Sequence, residues 1–438
     1  MFVRLLFLAL LLSAPGASRA EETPVEKAGF APRLTIYLAK GPANACGAGC
    51  DRWIAIEGEI DRDSAPRIRR FLAGVKDTQR PIFLNSPGGN VEQSYAIARL
   101  LRGRKAIARI GRTIVPACGA GKQVDAACLK IKNAGGEIEA ELTTRRAMCN
   151  SACGYLFLGA TNREVAPDAA MAVHNSRLTL VIHGHPPPQV VADYRKRQLV
   201  NADRDRAAFI AAMGIKRELD DLIRTVKFEN QHVLTRPELY RFGIDTRPLP
   251  ETMWTLEKET RPFIRKIALE KRGDGASFRT MEWRLFCEGK DRARLMFVRE
   301  LDEGGAGKST VVVMAGTDKT VAFGKVAVRI GKYEVWSDAV KQDAVKAMLA
   351  VPHLLVGEHT PAPDGKAAIA TFDIDTVGLE PAWTQLAASC PAPVATKPVG
   401  PPPSGASLPS GASLPPGASL PPGASPSVSA APAATPSP

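Results

Sequence analysis

Three short segments carry residue types that together could hydrolyse a peptide or acyl bond. Ser151 opens an apolar run, which places its hydroxyl at the first turn of a buried helix, where the helix dipole favours negative charge. His174 ends a short apolar strand, and imidazole is the usual general base for an attacking serine. The N–H groups of Gly88, Gly89 and Ala152 could stabilise an oxyanion. The pattern therefore predicts a nucleophile, a base and an oxyanion hole.

Each of these features also has an ordinary structural explanation. Serine is among the best helix N-cap residues. A histidine at the end of a strand often serves packing alone, and Pro-Gly after a strand is common turn chemistry. It is their combination in one chain that indicates catalysis.

Other reactive side chains give weaker indications. His183 and His185 could supply two metal ligands, but no third ligand lies near them and prolines follow, so we predict no metal site and no cofactor. Cys149 and Cys153 flank Ser151. A thiol nucleophile is one reading; the favoured reading is that both form disulfides that brace the serine turn.

The first 20 residues have the features of a cleavable signal peptide. Arg4 precedes an apolar run, and small residues follow up to Ala20, where we expect cleavage. The alternative is an uncleaved anchor, but the run is too short to span a bilayer. No later stretch approaches 18 consecutive apolar residues, the length of a spanning helix. We therefore expect a periplasmic or secreted mature chain that does not span the membrane.

An oxidising compartment gives the eight cysteines a structural meaning. Local spacing proposes the pairs Cys46 with Cys50 and Cys118 with Cys128, while Cys287 and Cys390 bracket the C-terminal region like a staple. The connectivity stays open at this point, because eight cysteines allow roughly 100 pairings.

The composition is that of an ordinary globular protein, with 45% hydrophobic and 24% charged residues. The net charge of +13 becomes +11 once Arg4 and Arg19 leave with the signal peptide. No block of five or six like charges and no basic stripe interleaved with aromatic residues occurs, so we expect no nucleic-acid partner. A basic surface would suit anionic lipid or a cell-wall polymer.

Alternating strands and helices over residues 33–250 would position the reactive residues. Apolar strands near residues 34–38 and 81–84 are separated by a helical pattern over 64–75, which indicates a parallel sheet with crossover helices. A stretch of about 105–147 reads as an insertion between the glycine turn and Ser151.

Two further regions follow, after an irregular segment at residues 21–32 has opened the mature chain. Alternating apolar residues predict a smaller β-rich (α+β) domain over 255–392. A Pro/Ala/Ser/Gly-rich tail with a hexamer repeat spans 393–438, and this composition predicts disorder.

Four motifs occur in the order found in the proteolytic subunit of the Clp protease: LNSPGG at 84–89, Ser151 and Ala152 opening an apolar helix, Pro167 with His174, and residues 234–245. The region 33–250 therefore resembles the Clp-protease/crotonase superfamily, and most closely its exported bacterial members. This resemblance implies a spiral of ββα units, a peptide or protein substrate and, as in that family, a homo-oligomer. It also implies that Ser151 is the nucleophile, His174 the base, and Gly89 and Ala152 the oxyanion donors.

The chain departs from the family pattern at the third triad position. That position falls near Gln231, where no aspartate is in register. Glu229 or Asn230 could orient His174 instead, and two further candidates are Asp220 and Asp221. A neutral amide can hold the imidazole tautomer but stabilises imidazolium less well.

We therefore expect an exported serine peptidase-like hydrolase that acts through an acyl-enzyme. The alternative is a catalytically inactive Clp-like binding or scaffold module of the cell envelope. A lysine-based enzyme like signal-peptide peptidase A ranks last, because no lysine accompanies His174 in the pattern. Residues 372–390 weakly resemble the invasion-associated locus B proteins. The β-rich domain carries no catalytic motif, so we expect it to be a binding or scaffold module.

Overall fold

The computed structural model describes residues 31–390 except 120, 181, 183, 274, 276, 290–291, 302–308, 317–318, 324–325 and 362–366. The predicted signal peptide, the segment up to residue 30 and the predicted disordered tail lie outside the described residues. So does His183, one of the two histidines considered as metal ligands. Within the described part the chain is a mixed α/β protein with several sheets.

The first half of the chain alternates strands and helices. Its elements are β1 (Thr35–Lys40), β2 (Arg52–Glu57), α1 (Ser64–Gly74), β3 (Ile82–Asn85), α2 (Val91–Gly103), β4 (Ile107–Ile110), β5 (Arg112–Ile114), a 3-10 turn (Pro116–Cys118), α3 (Ala126–Lys132), β6 (Glu137–Glu139), β7 (Glu141–Thr143), β8 (Met148–Asn150), α4 (Ala152–Leu158), β9 (Asn162–Glu164), β10 (Ala170–Val173), α5 (Pro188–Ala212), α6 (Glu218–Thr225), β11 (His232–Val233) and α7 (Arg236–Arg241).

A six-stranded sheet in the order β6-β1-β2-β3-β4-β9 forms the centre of this half. Strands β2, β3, β4 and β9 run parallel, with α1 and α2 as crossovers, as the alternating pattern predicts. Residues Trp53 to Ile56 of β2 are all buried, because both faces of the sheet are covered. The predicted insertion differs in one respect: its strands β4 and β6 belong to this sheet.

A smaller sheet in the order β11-β10-β8 lies beside the central one and carries the candidate site. Strand β8 runs parallel to β10, and β10 pairs antiparallel with β11. Thr235 and Glu238 lie three residues apart, a spacing that predicts a capping box. Helix α7 begins with this box, in which the Thr235 and Glu238 side chains cap each other's backbone. Gly243, at a φ of 76°, follows that helix.

The second half is built mainly of antiparallel strands. Its elements are β12 (Thr255–Glu257), β13 (Phe263–Lys271), β14 (Phe278–Gly289), β15 (Arg292–Glu300), β16 (Thr310–Ala315), β17 (Lys319–Ala322), β18 (Val328–Ile330), β19 (Tyr333–Lys341), α8 (Gln342–Leu349), β20 (His353–Pro361), β21 (Ala367–Asp375) and α9 (Leu379–Ala388).

These strands form one sheet in the order β12-β13-β14-β15-β19-β18 and another in the order β17-β16-β20-β21. The core of this half contains the stacked rings of Trp283, Phe297 and Trp336. The Cys287–Cys390 disulfide joins β14 to the second residue after α9. The antiparallel, half-buried strands expected beyond residue 255 are therefore present.

Candidate functional site

Ser151 lies between β8 and α4 in a backbone conformation that residues other than glycine rarely adopt. Its φ is 55° and its ψ is −123°. Such a residue costs about 1–3 kcal/mol and persists only where its surroundings hold it. Here the Ser151 N–H donates to Ala172 O at 2.8 Å, and the Gly154 N–H donates to Ser151 O at 2.9 Å. The serine is therefore held on a sharp strand-to-helix turn.

A disulfide closes this turn. Cys149 in β8 bonds to Cys153 in α4, and both residues are fully buried. All eight cysteines of the chain are paired: Cys46–Cys50, Cys118–Cys128, Cys149–Cys153 and Cys287–Cys390. The two pairs proposed from local spacing are confirmed, and a thiol nucleophile beside Ser151 is ruled out. Four disulfides are compatible with an oxidising, exported location.

The glycine turn lies directly against the serine turn. Ser86 bridges the two, because its N–H donates to Met148 O at 2.8 Å and its carbonyl accepts from the Asn150 N–H at 3.0 Å. A Cβ on Gly88 would lie 2.7 Å from Asn150 O and 2.8 Å from Ser151 Cβ. Gly88 has a φ of 107°, so both its conformation and its close contact require glycine.

Two backbone donors are free to bind an oxyanion at this junction. The N–H groups of Gly89 and Ala152 have no acceptor among the described residues. The third candidate donor, the N–H of Gly88, is engaged by Ser86 Oγ at 3.1 Å. Gly89 itself packs so tightly that a Cβ there would lie 2.3 Å from Ile60 O. The arrangement thus offers two donors where a carbonyl oxygen could bind.

His174 shares a small cavity with Ser151. The cavity holds about 10 Å³, which is near the minimum for one water molecule, and Tyr155 and Met171 also line it. His174 is 9% exposed. No hydrogen bond joins Ser151 Oγ to the His174 ring in the described part of the chain; such catalytic bonds are often long without substrate.

The residues predicted to orient His174 do not contact its imidazole. The Nδ1 atom of His174 is buried and has no hydrogen-bond partner among the described residues, and the Phe228 ring packs edge-on against the imidazole at 5.0 Å between centroids. Glu229 forms an exposed ion pair with Arg177 at 3.3 Å. Asn230 is exposed, in the turn before β11. The structure therefore does not bring Glu229 or Asn230 onto the imidazole.

The remaining acidic candidates are also engaged. Asp220 is 1% exposed and accepts from Arg206 Nε at 2.6 Å, with Arg224 at 2.9 Å. Asp221 is exposed and faces Arg217 at 3.9 Å. Gln231, near which the Clp resemblance places the third triad position, accepts from the Asn150 side chain at 3.4 Å. These three side chains therefore interact with groups other than the His174 imidazole.

Sequence reasoning missed Tyr155, whose apolar neighbours made it look like ordinary core. Burial raises the pKa of Tyr155 to about 12, with the Arg206 charge opposing. Its hydroxyl is buried without a partner at hydrogen-bond geometry in the described region, although the nearby Ser176 side chain lowers the same pKa. Tyr155 packs edge-on against Tyr95 at 5.2 Å between ring centroids. At neutral pH the phenol is therefore a neutral group in the wall of the cavity.

Neither a metal nor a membrane span is indicated by the described residues. Over that part of the chain, no group of three or more His, Cys, Asp or Glu side chains is arranged to hold a metal ion. His185 is exposed. Among the same residues, no helix is both long enough and apolar enough to cross a bilayer.

Neither a scan against protein-family models nor a search of curated proteins found a match. Solved structures that are similar include a mutant of the membrane-bound stomatin-specific protease 1510-N (16% identity over 44% of this chain and 75% of that chain, TM-score 0.26). They also include ClpP1 from Listeria monocytogenes (18%, 44% and 87%, TM-score 0.25) and invasion-associated protein B from Bartonella henselae (10%, 32% and 96%, TM-score 0.25). Similarities this low assign no family to the chain.

Proposed function

We propose that this chain is a serine hydrolase that cleaves peptide or acyl bonds through an acyl-enzyme on Ser151. One observation carries the proposal: the strained serine turn, the glycine turn and the buried imidazole of His174 meet at one place. Ser151 and His174 line the same cavity, and Gly88 lies against the Ser151 backbone. Strain of this kind is often found at functional sites.

The proposed reaction has two steps. Ser151 Oγ attacks the substrate carbonyl while His174 accepts its proton, and the N–H groups of Gly89 and Ala152 stabilise the resulting oxyanion. The intermediate then expels the amine or alcohol, which takes the proton from His174. Water, activated by the same imidazole, releases the acyl group and restores Ser151.

A missing carboxylate partner would make this enzyme slow. In serine proteases, replacing the triad aspartate by a neutral amide lowers kcat by about 10⁴-fold, because the imidazole is then in the wrong tautomer. The buried Nδ1 of His174 has no partner in the described residues. We therefore expect measurable acylation with a low turnover number.

A fluorophosphonate probe tests the proposal, because an activated serine attacks its phosphorus and displaces fluoride, so the serine is phosphonylated without needing a known substrate. We expect the wild-type chain to be labelled and Ser151→Ala not to be. Ser337→Ala is the matched control, since Ser337 is a half-buried serine of β19 that does not line the Ser151 cavity. Labelling that persists in Ser151→Ala, or that is absent from folded wild-type chain, would refute the proposal.

The unpartnered imidazole also supports a second candidate, a binding or scaffold module without turnover. In that case the cleft would hold a peptide or cell-envelope polymer, and Ser151 and His174 would be ordinary lining residues. Replacing both by alanine separates the two functions. A binding module keeps its affinity and its cellular phenotype, whereas a hydrolase loses its phenotype.

We also propose that the chain is exported to the periplasm and acts there on peptides or proteins. The support is the set of four disulfides, which form and persist in oxidising compartments. Terminal sequencing of the protein from fractionated cells tests this. We expect a mature N-terminus after Ala20 in the periplasmic fraction; a full-length cytoplasmic chain would contradict it.

A further inference from the structure

A second, larger cavity lies beside the candidate active site. It holds about 260 Å³, enough for one or two side chains, and its wall includes Ser86 and Pro87, which directly precede Gly88. Met148, three residues before Ser151, lines it too. A substrate residue spans only about 3.3–3.6 Å in an extended chain. Residues close to a scissile bond held at Ser151 could therefore reach this cavity.

The cavity wall is largely apolar and partly open to solvent. Pro87, Ile114, Val124, Leu129 and Met148 contribute to it. Val124 is 58% exposed and Met148 is 40% exposed, although both are large apolar side chains. Apolar residues gathered around an open concavity are typical of a binding site for an apolar group.

One side of the cavity, formed by residues 112–114, 123–124, 129 and 132, is cross-linked. The Cys118–Cys128 disulfide joins α3 to the 3-10 turn, and the Gln123 side chain makes two 2.9 Å hydrogen bonds with the Val115 backbone. The Lys132 ammonium is 4% exposed and contacts the Glu57 carboxylate at 3.0 Å, which anchors α3 to the sheet. A pre-organised wall loses little entropy when a ligand binds.

One cation at this cavity lacks a counter-charge. Arg112 is half-buried and lines the cavity, and its side chain has no ion-pair or hydrogen-bond partner among the described residues. Lys132, the other cation in the wall, is neutralised by Glu57. An unpaired guanidinium beside an apolar surface complements a carboxylate, which it can bind through two N–H groups.

We infer that this cavity binds a substrate segment in which an apolar side chain stands next to a carboxylate. The apolar group would pack on Val124, Leu129 and Met148, and the carboxylate would pair with Arg112. The inference rests on the proposed function, because it assigns the occupant as part of the peptide that Ser151 attacks. The residues cross-linked by the Cys118–Cys128 disulfide would then help to select substrates.

The test measures binding and active-site protection with four fluorescein-tagged decapeptides. They carry Leu or Ser at one central position and Glu or Gln at the next, in an otherwise constant sequence. Titration into the full-length Ser151→Ala chain gives Kd values, and competition with a fluorophosphonate probe on the wild-type chain reports occupancy beside Ser151. We expect the Leu-Glu peptide to bind about tenfold or more tightly than the Ser-Gln peptide.

Two variants separate the contributions, each in the Ser151→Ala background. Val124→Trp should remove the preference for Leu, and Arg112→Gln should remove the preference for Glu. Ile131→Ser is the matched control, because Ile131 is 37% exposed on the same helix as Leu129 but does not line the cavity. This control should keep both preferences.

Several outcomes would overturn the inference. Equal Kd values for all four peptides would do so, as would tight binding of the Leu-Glu peptide that does not protect Ser151. If removal of residues 21–30 strengthens binding of every peptide equally, the occupant is the chain's own N-terminal segment, and the inference is again wrong. Absence of labelling in the wild-type chain counts against the proposed function alone, since the Kd values are still measured.

Discussion

Replacing Gly88 by alanine tests the junction between the glycine turn and the serine turn. A residue with a Cβ in the left-handed region costs about 1–2 kcal/mol, and Gly88 has a φ of 107°. The new Cβ would also lie 2.8 Å from Ser151 Cβ and 3.0 Å from Ala152 N, and such overpacking costs about 1–3 kcal/mol more. We expect a loss of about 2–5 kcal/mol in the free energy of unfolding.

The same substitution should disable the site beyond its effect on stability. Relief of the contact must move the Gly88 backbone or the Ala152 N–H, and loss of one oxyanion donor lowers kcat by about 10²–10³-fold. The assay is the rate of fluorophosphonate labelling, measured well below the urea midpoint of each variant. We expect Gly88→Ala to be labelled about 100-fold more slowly than wild type.

Gly331→Ala is the control for the cost of placing a Cβ at a positive φ. Gly331 also has a positive φ, of 60°, but no atom of the described residues lies within 4 Å of its added Cβ. It should therefore lose only about 1 kcal/mol and keep the wild-type labelling rate. A folded Gly88→Ala chain labelled as fast as Gly331→Ala would refute the argument that the two turns meet at a reactive serine.

Three further predictions concern disulfide, charge and pH. Replacing Cys149 and Cys153 by alanine should lower the free energy of unfolding by about 2 kcal/mol, because the closed loop is short, and should slow labelling; unchanged urea midpoint and rate would contradict this. Asp220→Ala leaves the buried Arg206 paired with Asp203, at 2.8 Å, but without its 2.6 Å partner, and should cost about 3 kcal/mol in urea unfolding; a loss below 1 kcal/mol would contradict it. Burial raises the pKa of Glu251 to about 7, although a neighbouring lysine opposes the shift. Its folded-state pKa lies above the unfolded value of 4.5, so its stabilising contribution is lost as pH rises through about 7. Glu251→Gln should make the urea midpoint depend less on pH between pH 5 and 8. An unchanged pH dependence of the midpoint would contradict this.

Local chemistry allowed several features to be predicted from the sequence. Cys46 and Cys50 lie four residues apart and have a Cα separation of 5.0 Å, which suits a disulfide without long-range information. The capping box of Thr235 and Glu238 likewise depends on residues within one turn. The parallel pairing of β2, β3 and β4 follows from their alternation with helices.

Features that depend on distant partners could not be predicted in this way. Asp220 looked free in the sequence, but its partner Arg206 lies on another helix, and their pairing is a tertiary contact. Glu229 falls beside the family's triad position, yet its side chain pairs with Arg177 because the turn before β11 is exposed. Pairing of β4 with β3 and of β6 with β1 likewise drew the ends of the supposed insertion into the central sheet.

In the proposed enzyme, Ser151, His174 and the glycine turn surround one carbonyl-sized site. A crystal structure of the wild-type chain after reaction with a small alkyl fluorophosphonate would test this arrangement. We expect phosphorus bonded to Ser151 Oγ, with the phosphonyl oxygen about 2.7–3.1 Å from the N atoms of both Gly89 and Ala152. An adduct on another residue, or an oxygen that points away from both N–H groups, would contradict it.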